Sequence, residues 1–179
     1  VGAVDLSPAL ADAVVAAWPG FVDRACGVAI DVGSTTIAGH FCDLSTGEVL
    51  ASAGSVNPQI RYGDDLMSRV SYVMMNPGGD RVLTDAVRGA LNELIVELCA
   101  EAAIAVSHVL EIVLVGNPIM HHLVAGIDPT PLGQAPFTLA TADSLVVRAE
   151  QFDLAAPNAQ VYLAPCIAGH VGADTAAVI

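Results

Sequence analysis

Asp31-Val32-Gly33-Ser34-Thr35-Thr36 gathers within one short stretch the residue types that a phosphorylated ligand and its magnesium ion require. An apolar run over residues 27–32 leads into it and a second run leaves it at once, which predicts a tight hairpin with these residues at its tip. Gly33 permits positive φ and close approach of a phosphate to the backbone. Ser34, Thr35 and Thr36 offer N–H groups and hydroxyls, in the manner of an anion nest. Asp31 carries a carboxylate that can orient water around Mg²⁺, a hard cation that prefers oxygen ligands and keeps several waters. An ordinary hairpin with an Asx-turn acid would use some of the same residues, and Thr36 suits any strand. The acid, the glycine and the small polar residues together favour the phosphate reading.

Other candidates are more evenly balanced. Asn117 follows the apolar run 109–115 at a strand-to-helix turn, where ligands gather in mixed sheets. It can hydrogen-bond the attacking water or a phosphate, or it can cap a helix whose first residue is Pro118. Asp174 lies four residues after His170 and either points into a cleft or serves as a cap or ion-pair partner. Asp65 and Arg69 form an i,i+4 pair near a predicted helix start, and the polar stretch 57–65 either lines the cleft or meets a partner. His121 and His122 project about 100° apart on a helix, so packing suits them better than a shared metal. His40 reads as structural.

The chain has 179 residues, 54% of them apolar, with a mean hydropathy of +0.63. Such values imply a large core or an apolar surface that expects a partner. Net charge is −13, from 19 acids against six arginines and no lysine. That balance argues against nucleic acid and anionic membranes. Any positive charge at a phosphate site must therefore come from arginine or a metal. Cys26, Cys42, Cys99 and Cys166 are dispersed in apolar contexts, as in reduced core cysteines of a cytoplasmic protein, and are too scattered to hold an iron–sulfur cluster. No apolar run reaches the roughly 18 residues of a membrane span, and the first residues lack the basic region of a signal peptide.

The elements that must position the hairpin follow from periodicity. A helix is predicted over 6–18, capped by Ser7, as a linker tail or upstream helix within residues 1–25. Strands are predicted over 27–32 (apolar throughout, as if buried on both faces), 35–43 and 49–55, with Gly47 in the second turn. Helices follow over 66–75 and about 80–105, the second with Val82, Ala86, Ala90, Leu94, Leu98 and Ala102 on one face. A strand over 109–115, a short helix from 119, a strand over 160–163 and a final helix opening at 164–174 complete the order. The reading is α/β: a three-strand antiparallel meander followed by parallel strands, with covering helices.

The meander with its Asp31–Thr36 hairpin resembles one half of the actin-like (ASKHA) ATPase fold, an RNase H-like mixed sheet. Further phrases narrow the resemblance: Asn57-Pro58-Gln59 with Tyr62-Gly63-Asp64-Asp65 and Ser68-Arg69; Val115-Gly116-Asn117-Pro118-Ile119-Met120-His121-His122-Leu123; Leu132-Gly133 with Pro136-Phe137; and Ile167-Ala168-Gly169-His170-Val171-Gly172-Ala173-Asp174. Together they are similar to the reductive activators of corrinoid proteins. The resemblance implies ATP and Mg²⁺ as ligands and a corrinoid protein of a methyltransferase system as partner. It also implies an iron–sulfur domain and a second ATPase half outside this chain, and ATP-driven return of cobalt(II) corrinoid to cobalt(I). Residues 26–179 would be the first ATPase subdomain, weak or inactive alone and prone to form a dimer or swapped assembly. A sugar or acid kinase of the same superfamily and a non-enzymatic corrinoid-protein docking module are the rival readings.

Overall fold

The computed structural model describes residues 2–4, 14–169 and 172. Strands β3 (Cys26–Val32), β4 (Thr36–Asp43) and β5 (Val49–Val56) form the antiparallel meander, which follows a short ribbon of β1 (Gly2–Val4) and β2 (Val14–Ala17). Next come helices α1 (Leu66–Met75) and α2 (Gly79–Glu101), strand β6 (Val109–Gly116) and helix α3 (Pro118–Ala125). β7 (Leu145–Arg148) and β8 (Gln160–Leu163) complete one six-stranded sheet, ordered β5-β4-β3-β6-β8-β7. β6 runs parallel to β3, β8 runs parallel to β6, and β7 closes the edge antiparallel to β8.

Local chemistry explains most of these elements. Gly47 takes a φ of 76° in the β4–β5 turn, where a side chain would be strained. Asp65 caps α1 by accepting a hydrogen bond from the Ser68 N–H at 2.7 Å. Gly126 ends α3 in the left-handed conformation. On α2, Leu83, Val87, Leu91, Leu94, Ile95 and Leu98 are buried against the sheet, each contributing about 1.5–3 kcal/mol of apolar burial. Gly39 lies beneath them. A Cβ there would stand 3.0 Å from Leu98 and 3.1 Å from Leu94, so its absence lets the helix approach the strand closely.

Five expectations are corrected. β3 is not buried on both faces: Val28, Ile30 and Val32 are buried while Ala29 and Asp31 are exposed, because the helices cover one face of the meander. The buried stripe of α2 runs through Leu83 rather than Val82, which is 38% exposed. Adjacent apolar pairs such as Val82-Leu83 leave the register open until the sheet selects one. Val14–Ala17 is a strand rather than helix, and its β-branched pair Val14-Val15 suits that state. The rest of the expected helix lies outside the described residues. β7 was not anticipated, its four residues being too few to show a period. Residues 164–169 are irregular where a helix was expected to open, and apart from Gly172 the remainder lies outside the described residues.

One irregularity ties the N-terminal ribbon to the sheet. Leu110 is skipped in the β3–β6 register, between the pairs Cys26↔Val109 and Gly27↔Glu111. The bulged Leu110 packs with Ala16, Trp18 and Ala25 instead of the main core. Cys26, Cys99 and Cys166 are buried free thiols and Cys42 is half-buried. Burial pushes the Cys99 thiol up to about 11, and burial with the Asp43 charge raises Cys26, which keeps both protonated at neutral pH. No described helix is long and apolar enough to cross a membrane.

Candidate functional site

The parallel register brings the sequence-predicted residues to one end of the sheet. Val32 pairs with Gly116, so Gly33 and Asn117 leave neighbouring strands side by side. β8 ends beside them, with the Ala164 N–H donating to the Leu114 carbonyl at 3.0 Å. This is the carboxyl end of parallel strands, where open α/β sheets place their ligands. Asp31, Gly33, Ser34, Thr35 and Thr36 all belong to the β3–β4 hairpin at this end, and Asp31, Thr35 and Thr36 are exposed there. Asp174 and His170 lie outside the described residues.

The structure corrects the reason for Gly33. Its φ is not in the left-handed region. A Cβ at this position would stand 2.4 Å from the Thr36 carbonyl oxygen, so the requirement is steric. Because the clash is with backbone, no rotamer relieves it. Gly33→Ala is expected to open the tip and destabilise the domain by about 1–3 kcal/mol, measurable by urea denaturation. An unchanged midpoint would show that the turn adapts.

Behind the hairpin lies a buried polar bracket. Its members Asn57, Gln59 and Arg69 are each 0% exposed. The Asn57 side-chain amide donates to the Gly33 carbonyl at 2.8 Å, and its backbone N–H donates to the Thr35 carbonyl at 2.8 Å. Arg69 Nη2 donates to the Ser34 carbonyl between them. Three successive carbonyls of the tip are thus drawn back into the protein. In a trans peptide the C=O of one residue and the N–H of the next point in opposite directions. The N–H groups of Ser34, Thr35 and Thr36 are therefore aimed away from the bracket, as an anion nest requires.

The bracket is itself cross-linked. Gln59 takes Arg69 Nη1 on its Oε1 at 3.1 Å and donates Nε2 to the Leu83 carbonyl on α2 at 2.8 Å. Arg69 Nε reaches the Gly63 carbonyl at 3.1 Å, and Met120 Sδ accepts from both Asn57 and Arg69. Sequence reasoning marked this stretch but paired Arg69 with Asp65. The Asp65 carboxylate instead caps α1, and the hydrogen bonds from Ser68 hold it below its ordinary value, while Arg69 turns inward. Burial pulls the guanidinium below its usual range, opposed by the Asp65 charge.

Asn117 caps α3, its Oδ1 accepting from the Ile119 and Met120 N–H groups at 3.1 and 3.0 Å. Any contact with a ligand therefore falls to its amide nitrogen. Asn117→Ala is expected to cost about 1 kcal/mol in chemical denaturation, with Asn117→Asp retaining most of the stability. No loss in the alanine variant would show that the cap is redundant. Next to it, His122 Nδ1 meets the Pro118 carbonyl at 2.8 Å, and its Nε2 accepts from the Ala140 N–H at 3.1 Å. His121 is buried with neither ring nitrogen hydrogen-bonded, and burial with the neighbouring His122 lowers it to about 4. Among the described residues no group of three or more His, Cys, Asp or Glu is placed to hold a metal ion directly.

A meander feeding parallel strands, with an acid–glycine hairpin where they end, defines the actin-like class of mixed-sheet folds. The chain belongs to the RACo middle region family, which matches residues 26–179. It is 32% identical over 154 residues to the corrinoid activation enzyme RamQ of Eubacterium limosum, covering 86% of this chain and 26% of that protein. A solved reductive activator for corrinoid, iron–sulfur protein shares the fold at a TM-score of 0.83, with 37% identity over 87% of this chain and 25% of the other. The chain therefore spans about a quarter of the length of the relatives it matches.

Proposed function

We propose that residues 26–179 are the first subdomain of the ATPase domain of a reductive activator of corrinoid proteins. The whole protein would bind Mg·ATP between this subdomain and a second one. It would couple hydrolysis to transfer of one electron, from an iron–sulfur domain elsewhere in the polypeptide, onto cobalt(II) of the partner corrinoid protein, giving cobalt(I). Membership of the family supports the partner class. The observation that carries the nucleotide reading is the bracket that turns the Gly33, Ser34 and Thr35 carbonyls inward and presents the following N–H groups outward.

The residues fit Mg·ATP. Gly33 lets the tip close on the Thr36 carbonyl, which sets the N–H groups that follow it, and the hydroxyls of Ser34, Thr35 and Thr36 add donors. Exposed Asp31 would hold waters around the magnesium, and the ion would neutralise charge that develops on the transferred phosphoryl group. Asn117 would orient the attacking water or a phosphate oxygen through its amide nitrogen. Asp174, which follows β8 in the sequence, is the remaining candidate catalytic residue of this reading. This subdomain's contribution is positioning and fixed electrostatics.

The deciding assay compares free phosphate release by this chain and by the whole protein, with the corrinoid protein present. The whole protein should turn over ATP and the chain alone should be weak or inactive. Equal rates would refute the two-subdomain site, and phosphorylation of a sugar or acid in place of phosphate release would favour a kinase.

A further inference from the structure

We propose that Arg69 is the positioning residue of the phosphate hairpin, fixing the Ser34 carbonyl from behind and placing a permanent positive charge directly behind the tip. This inference rests on the nucleotide reading above and assigns its electrostatics to one side chain.

Arg69 is the one buried arginine of the six. A buried guanidinium costs several kcal/mol in desolvation unless it is paired, and proteins normally give it a carboxylate. Here the acceptors are neutral: the Ser34 and Gly63 carbonyls, Gln59 Oε1 and Met120 Sδ. The two ion pairs formed among the described residues use Arg24, which pairs with Asp43 at the end of β3 and β4 opposite the tip, and Arg88 on α2. Asp65 is near in sequence, but its carboxylate is committed to the α1 N-terminus. The positive charge therefore lies one peptide deep behind the tip with no carboxylate in direct contact with it, the Asp65 charge acting on it only from a distance.

That placement acts on the anion side of the hairpin. The Ser34 carbonyl and the Thr35 N–H share one peptide plane. A guanidinium donating to the carbonyl polarises the plane and makes the N–H a stronger donor on the opposite side. The chain carries −13 overall and has no lysine, so a triphosphate meets a repulsive background almost everywhere else. Gln59 completes the device, because a neutral acceptor holds the guanidinium in place without neutralising it.

The test uses the whole protein and isothermal titration with Mg·ATP and with AMP, which lacks the outer phosphates. Arg69→Met is expected to weaken Mg·ATP by about tenfold or more and AMP by less than about twofold. Arg69→Lys, which keeps the charge but loses the fork, should recover part of that loss. Gln59→Glu leaves Arg69 in place but sets a carboxylate against it, and should also weaken Mg·ATP selectively while the protein still melts cooperatively. If Arg69→Met fails to fold, the glutamate variant decides. A folded variant of either kind that binds Mg·ATP within about twofold of the wild type, or that loses ATP and AMP affinity equally, overturns the proposal. The wild type and Gly33→Val are run alongside. Mg·ATP binding that is absent from the wild type, or untouched by valine at the tip, overturns the nucleotide reading itself and this inference with it.

Discussion

Asp31→Asn in the whole protein is expected to lower magnesium-dependent ATP turnover by about a hundred- to a thousandfold, while stability changes by less than about 0.5 kcal/mol. The two effects separate because of where the side chain stands. Asp31 is an exposed position one residue from the end of β3, on the face of the meander that the helices leave open. Asparagine has the same shape and keeps most hydrogen bonds, but it removes the charge that would hold hydrated magnesium. The metal's role in phosphoryl transfer is to neutralise developing charge, so the loss should fall on turnover more than on nucleotide affinity. Phosphate release measured across a magnesium titration checks this. Turnover within about threefold of the wild type at all concentrations would remove Asp31 from the site.

The second large effect concerns stability against pH. His121 lies buried on α3 without a hydrogen-bond partner, and its imidazole titrates at about 4 when folded, against an ordinary value of 6.5. Above about pH 6.5 both the folded and unfolded states hold it neutral, and its full contribution to stability is present. As pH falls from 6.5 toward 4 the unfolded chain takes up a proton that the folded chain refuses, so stability is lost across that window. The loss amounts to about 3 kcal/mol at the lower end. His121→Leu removes this titration, so its urea midpoint should decline less steeply with acid than the wild type's. His122, also lowered by burial, and the carboxylates remain in both proteins and largely cancel in the comparison. Parallel pH profiles would show that water or local opening solvates His121 in the folded state.

Much of the fold was legible locally. The α1 boundaries were predicted to the residue, as were those of β8, because capping by Asp65 and the turn residues around 160–163 act over a few positions. The hairpin was equally visible, since an acid, a glycine and three hydroxyl residues in a row need no distant partner to announce a turn. β7 was missed for the opposite reason: four half-buried or exposed residues become a strand only when β8 offers an edge. The α2 stripe is right at Ala90, Leu94 and Leu98 but departs at its start, where Leu83 and Val87 are buried in place of Val82 and Ala86, because paired apolar residues leave two faces of similar hydrophobicity until packing on the sheet chooses between them.

What the residues determined unaided was a tight turn tipped with an acid, a glycine and three hydroxyl side chains, a chain without lysine, and the order of most of the elements that carry that turn. What only the tertiary structure decided was how that turn is held and charged. The Asn57 amide meets a carbonyl 24 residues away and Arg69 meets one 35 residues away. No spacing rule links them, because the contacts exist only after α1 and the loop before it pack behind the strands. Within the sequence Arg69 had a ready partner in Asp65, four residues distant on one helix. The fold overrides that pairing because capping engages the acid at the surface, while burial leaves the guanidinium to satisfy the Ser34 carbonyl of the tip and the Gly63 carbonyl behind it.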